Sequence, residues 1–140
     1  MEYKNYGSTI VVRLDKGDEI VKSLLEVAEK EKCAFAYITG IGAADDFEVG
    51  IFDLDKADYN RIVYTGNHEI NALVGSLTTK DGTPYLHVHI TCTGKDGTVV
   101  GGHLFRGKIS LTGEIFLQVI GGSVNRKYDP SVGINKIVFE

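Results

Sequence analysis

The residues best able to do chemistry in this sequence are its four histidines, His68, His87, His89 and His103. His87 and His89 stand two apart in Leu86-His87-Val88-His89-Ile90. An extended strand therefore projects both from one face and sends Leu86, Val88 and Ile90 to the other. His103 follows in Gly101-Gly102-His103-Leu104, on the next predicted strand. The turn between decides whether it joins the pair. A three-residue loop Lys95-Asp96-Gly97, with Gly97 as the left-handed residue of a hairpin bulge, sets Gly94 opposite Thr98. His103 then faces His89 at roughly 4.5–5.5 Å between Cβ atoms, with His87 its diagonal neighbour at roughly 7–8 Å. A loop of two or four residues would turn His103 to the other face, and a bulge at Gly101-Gly102 would also move it.

In that register three imidazoles share one face. Three imidazole nitrogens at about 2.0–2.1 Å are the protein set of an open tetrahedral zinc site, with a fourth position left free. Other first-row divalent metals also accept imidazole, so the expected cofactor is a divalent metal, with zinc as the reading. A strand histidine is more often just a partly buried polar residue, and the claim stands on the third histidine. Cys92 has the opposite parity from His87 and His89 and is expected to face away from the metal. His68, beside a turn in Gly66-Asn67-His68-Glu69, is expected to have no chemical role.

Glu114, at the start of a strand after Thr112-Gly113, is the candidate catalytic residue, as a carboxylate that supports a ligand or handles protons beside the metal. The plainer reading of Glu114 is a solvated strand end. Arg126 and Asp129, in Asn125-Arg126-Lys127-Tyr128-Asp129-Pro130, are either holders of a carboxylate or phosphate or plain loop residues. Gly40-Ile41-Gly42 is followed by no helix and is not a dinucleotide fingerprint, and Gly121-Gly122-Ser123 lacks the lysine and helix of a phosphate loop. Tyr59, Tyr64 and Tyr85 read as core or interface.

The elements that must position these residues are mostly strands. Thr9–Leu14 predicts a first strand, rich in apolar and β-branched side chains. Asp18–Lys32 predicts the one helix, with Ile20, Val21, Leu24, Leu25 and Ala28 on a stripe and Gly17-Asp18 opening it. The predicted strands that follow are Cys33–Ile41, Phe47–Leu54, Asn60–Tyr64, Glu69–Thr79, Tyr85–Thr93, Thr98–Leu111, Glu114–Gly121 and Lys136–Phe139. Asp81-Gly82, Asp96-Gly97 and Thr112-Gly113 are expected as turns between them. The expected fold class is α+β, a curved, mostly antiparallel sheet packed on one main helix, with residues 1–140 as one domain.

Composition narrows the functional classes. Hydrophobic residues make up 43% and charged residues 24% of the 140, a globular profile rather than a disordered one. A chain of this length can bury roughly two-thirds of its unfolded surface, so no disulfide or metal is required simply to fold. The apolar runs fall far short of the roughly 18–20 residues of a membrane helix, and the first residues lack the apolar segment of a signal peptide. Two cysteines without a C-x-x-C pair suit a reducing compartment, so a cytoplasmic protein with no membrane partner is expected. Fifteen Lys and Arg against nineteen Asp and Glu leave a net charge of −4. The basic residues are scattered, which disfavours long-range attraction to nucleic acid.

Several segments together resemble a known family, the plants-and-prokaryotes-conserved (PPC) domain. They are Val12–Glu19 before the helix, Ile38–Ala43 after it, Gly66–Gly75, Leu86–Ile90, Asp96–Leu104, and Glu114-Ile115 in the next strand. The resemblance implies an α+β fold and a homotrimer. Prokaryotic stand-alone members of the family are labelled as DNA-binding proteins, so it also implies DNA or a DNA-binding protein as a partner. Plant members carry an AT-hook, and this chain has no Arg-Gly-Arg core. They generally lack histidines at the positions of His87, His89 and His103, so the resemblance lies with the prokaryotic branch. Three functions follow as expectations: a DNA-associated protein with a three-histidine metal site, a metal-dependent enzyme acting on a small molecule, or a trimeric scaffold with a structural metal.

Overall fold

The computed structural model describes residues 1–139. Its elements are β1 (Glu2–Asn5), β2 (Thr9–Asp15), α1 (Ile20–Lys30), β3 (Ala36–Asp53), β4 (Asp58–Lys80), β5 (Thr83–Gly94), β6 (Val99–Val119), β7 (Asn125–Asp129) and β8 (Ile134–Val138). Strands occupy 69% of the chain. The fold is thus mostly sheet, with one 11-residue helix as a minor element.

All eight strands form one sheet, antiparallel except for a single parallel bridge between Thr79 of β4 and Asn125 of β7. β3 pairs with both β4 and β6, and β5 also pairs with both β4 and β6, so these four long strands close on one another. β2 and β1 extend the sheet from the other end of β6, and the β7–β8 hairpin docks on β4.

The strands are fewer and longer than expected. Cys33–Ile41 and Phe47–Leu54 belong to one strand, β3, and Asn60–Tyr64 and Glu69–Thr79 belong to β4. The segment between each pair is absorbed by register shifts at Gly40/Gly42 and Ala44/Asp46 instead of a loop. Bulges of this kind bend a strand while keeping it paired, which lets a long strand follow a curved sheet. Thr112-Gly113 is not a turn. It lies inside β6, where Gly113 pairs with Leu14 on one side and Gly42 on the other, and ladders on both sides leave no room for reversal. β1 and β7 carry no strong apolar alternation and were not expected.

The helix is shorter than Asp18–Lys32, and its cap is Glu19 rather than Asp18. The Glu19 carboxylate accepts from the backbone N–H groups of Val21 at 3.2 Å and Lys22 at 2.6 Å, and from Gly107 N–H at 2.8 Å, which ties the helix start to β6. Asp18 instead accepts from Asp15 N–H at 2.8 Å and pairs with the N-terminal ammonium at 2.7 Å. Ile20, Leu24, Val27 and Ala28 face the core, and Val21 and Leu25 sit at its margin. Ile20, Leu24, Val27 and Ala28 pack in one cluster with Ile10, Val12 and Leu14 of β2, Phe47 and Val49 of β3, Leu73 and Leu77 of β4, and Val88, Ile90 and Cys92 of β5.

Candidate metal centre

The β5–β6 turn positions the site. Gly97 has φ +83°, and Gly94 accepts from Gly97 N–H at 2.9 Å while donating to the Thr98 carbonyl at 2.9 Å. This is a three-residue loop closed by a left-handed glycine, and Asp96 adds a carboxylate that accepts from Thr98 N–H at 3.0 Å. The register that follows runs Thr93↔Val99, Cys92↔Val100, Thr91↔Gly101, Ile90↔Gly102 and His89↔His103. His89 and His103 are therefore direct partners, as the turn predicts. Val88, Ile90 and Cys92 are fully buried on the opposite face, so Cys92 is no ligand; burial pushes its thiol up to about 12.

His87, His89 and His103 each bring a ring nitrogen within 4.8 Å of the others. Their ring centroids are 5.1–5.5 Å apart. Ligand atoms at about 2.0–2.1 Å from a tetrahedral zinc lie about 3.4 Å from one another, so closing the site asks for shifts of roughly an ångström, within reach of side-chain rotation. The electrostatics suit a ligand set. Burial, with the neighbouring His87, His89 and Arg61, holds His103 down to about 4. Burial, with Arg126 and His89, lowers His87 as well. Both rings are thus neutral near pH 7, the form in which imidazole binds a metal. His103 Nδ1 is buried with no hydrogen-bond partner, an orphaned donor or acceptor that costs free energy until something satisfies it.

An aromatic wall holds the His103 ring. Tyr59 stacks on it with centroids 4.9 Å apart, and Phe105 meets it edge-on at 4.9 Å. The Arg61 guanidinium lies 3.7 Å above the Phe105 ring. Gly50, the β3 partner of His103, makes room for this wall, since a Cβ there would sit 2.6 Å from Phe105 Cε2 and 2.7 Å from Tyr59 Cδ1. His87 and His103 also line a cavity of about 210 Å³ whose other walls include Tyr85, Arg126 and Asn135.

The other sequence candidates lie elsewhere. Within one chain Glu114 is not brought to the histidines; it is exposed beside Glu69 and Asn71 in a separate depression. His68 Nδ1 donates to the Gly66 carbonyl, 2.7 Å away, and the ring packs edge-on against Phe47. Asp129 turns the β7–β8 hairpin and pairs with Lys136 at 2.6 Å, and bonds from Lys136 and Ser131 bring its carboxyl down to about 2. Arg126 alone of that pair belongs to the cavity. Sequence reading missed Tyr59, Phe105 and Asn135. Phe105 was findable, because it stands two residues after His103 and shares its face; Tyr59 and Asn135 come from distant segments with no such mark.

The profile of the Plants and Prokaryotes Conserved (PCC) domain matches residues 1–121. The chain belongs to the PCC domain family. The segments that suggested the family all fall inside that match, while the β7–β8 hairpin of this PCC protein lies beyond it. Among solved structures, a "putative DNA binding protein" from Bacteroides thetaiotaomicron is 28% identical, with a TM-score of 0.95 and coverage of 99% of this chain and 96% of that one. A metal-containing protein from Archaeoglobus fulgidus is 30% identical, with a TM-score of 0.87 and coverage of 99% and 97%. A plant- and prokaryote-conserved protein from Pyrococcus horikoshii is 27% identical, with a TM-score of 0.86 and coverage of 99% and 94%. No curated protein matches this chain. No helix among the described residues is long and apolar enough to cross a membrane.

Proposed function

We propose that this PCC-domain protein is a metalloprotein whose His87, His89 and His103 hold one divalent ion, zinc in the first instance, and that it acts on a small molecule. The convergence of three imidazoles, two of them held neutral, beside a cavity carries this reading. The metal-containing relative from Archaeoglobus fulgidus supports it. When bound, the ion supplies Lewis acidity at a position that three protein ligands leave open. The chain's own part is to orient the ligands: Tyr59 and Phe105 pack on the His103 ring and fix it. Elemental analysis of untagged protein purified without chelator tests the reading. One metal per chain, lost in His87→Ala and in His103→Ala, is expected; no metal after loading with zinc would overturn it.

We read residues 1–140 as one domain that assembles as a cytoplasmic homotrimer. Phe116, Thr39, Val74 and His89 are successive neighbours across β6, β3, β4 and β5, and Tyr37 and Ile41 flank that row. Tyr37, Ile41, Val74 and Phe116 are all exposed in the single chain, and a second copy would cover them. In that assembly Glu114, two residues from Phe116, is the proposed proton-handling carboxylate, presented to a neighbouring copy. Light scattering checks the mass, and a monomer at micromolar concentration would sink both the assembly and this role of Glu114. The two free, buried cysteines suit a reducing compartment.

DNA association is the second reading, favoured by the description of the Bacteroides thetaiotaomicron relative. If phosphate contacts drive it, affinity falls steeply as salt rises, and Lys→Ala or Arg→Ala changes flatten that slope. Binding that is undetectable or indifferent to salt would remove it.

A further inference from the structure

Arg126 is 7% exposed. No carboxylate pairs with it among the described residues. Its partners are neutral. Nε donates to Thr78 Oγ1 at 2.8 Å, Nη1 to the Asn135 carbonyl at 3.0 Å and Nη2 to Ser76 Oγ at 3.3 Å. The guanidinium also sits 5.0 Å above the Tyr85 ring. A guanidinium has five N–H donors, so one remains on each terminal nitrogen. A buried cation is costly unless it is paired as well as hydrogen-bonded, so an anion entering the cavity would supply what the chain does not.

The same cavity holds two further unmet needs. Asn135 Oδ1 and His103 Nδ1 are both buried without a hydrogen-bond partner, and both residues line it along with Arg126. The cavity is thus lined by a cation with one donor to spare on each terminal nitrogen and by an asparagine whose amide oxygen needs a donor. Tyr59 and Phe105 add aromatic walls. About 210 Å³ is below the roughly 300–1,000 Å³ of pockets for drug-sized ligands, which excludes a nucleotide.

We propose that this cavity binds a small hydroxycarboxylate, its two carboxylate oxygens held by the spare Nη1 and Nη2 donors of Arg126 and its hydroxyl donating to Asn135 Oδ1. Two spare donors on a planar fork match a carboxylate, where they form paired bonds. The inference deepens the metal reading, because His87 and His103 line the same cavity. It also assigns the β7–β8 hairpin, which supplies Arg126 and Asn135, the task of choosing the ligand.

Lactate is the probe, with lactamide as its neutral isostere, propionate lacking the hydroxyl, and inorganic phosphate as a competing anion. Each is titrated into zinc-loaded and metal-free protein and followed by calorimetry and by the imidazole NMR signals of His87 and His103. Lactate is expected to bind and move both signals, with lactamide and phosphate at least about tenfold weaker and propionate intermediate. Arg126→Lys keeps the charge but loses the fork, and is expected to weaken lactate at least about tenfold with zinc content unchanged. Asn135→Asp sets a carboxylate beside Arg126 and should weaken lactate similarly, which keeps the test alive if the lysine variant fails to fold. Lactate that binds no better than lactamide or phosphate, that moves neither imidazole, or that binds both variants like the parent overturns the proposal. Zinc uptake without lactate binding removes this inference alone. Arg126-dependent lactate binding in a protein that takes no zinc upholds it and removes the metal reading.

Discussion

Two depressions share the strand β6 and differ in what they ask of a ligand. One, about 410 Å³, is lined by Ile41, Glu69, Asn71, Leu111 and Glu114, and its two carboxylates are exposed to water. The other, about 210 Å³, is smaller, yet it gathers His87, His103, Arg126 and Asn135 with two buried polar atoms left unpaired. Volume ranks them one way and chemistry the other. A solvated carboxylate already has its hydrogen bonds, so a ligand gains little by replacing water. A buried cation with no carboxylate partner and an orphaned ring nitrogen each leave a need unmet, so a ligand that meets it recovers part of that cost. The difference lies in burial, and Tyr59 and Phe105 are the aromatic rings that pack against His103 in the smaller pocket.

The comparison breaks most easily at the ligands. His89→Ala is expected to weaken zinc by more than about 100-fold, since even the outer partners of metal ligands change affinity about 10–100-fold. His68→Ala, outside the cavity, should leave affinity unchanged. Competition with a chromogenic chelator reads both, and stoichiometric zinc retained in His89→Ala would refute the site.

Next comes the wall. Gly50→Ala drives a Cβ into Tyr59 and Phe105, and overpacking of this kind costs about 1–3 kcal/mol. Urea unfolding measures the loss, and zinc affinity should fall with it because the His103 ring loses its support.

Acid sharpens the contrast in metal-free protein. His103 has its proton affinity lowered by burial, from the ordinary 6.5 to about 4. The unfolded chain takes up that proton as pH drops below 6.5 while the folded chain does not until about 4. Folded stability from this group is therefore complete above 6.5, declines between 6.5 and 4, and is level below. His103→Gln should flatten that part of the profile relative to the parent, and equal slopes from pH 7 to 4 would contradict the burial. The smallest effect belongs to the larger depression: Glu114→Gln is expected to change stability by no more than about 0.5 kcal/mol and to leave zinc content as it was, measured on the same samples.

How much was legible follows from how far apart the determining residues lie. The histidine triad was readable because only fourteen positions separate His89 from His103, and one three-residue loop sets the register between them. The stripe of α1 was readable too, apart from its cap, where Glu19 displaced Asp18 because Gly107 of β6 also needed its carboxylate. The long strands were not. Glycines such as Gly113 look like turns in one dimension and become strand interiors once β2 and β3 flank them.

Sequence alone determined the family, the sheet-rich class and the set of three imidazoles, because turn chemistry and the period-two alternation of a strand act over a few residues. Tertiary structure alone decided that β3, β4, β5 and β6 close on one another, that Glu114 lies apart from the histidines within a chain, and that Arg126 joins them. Arg126 meets Ser76 across fifty positions of chain and Thr78 across forty-eight. No local pattern encodes such a contact; it exists only because the β7–β8 hairpin packs on β4 and leaves a guanidinium largely buried at the edge of the cavity.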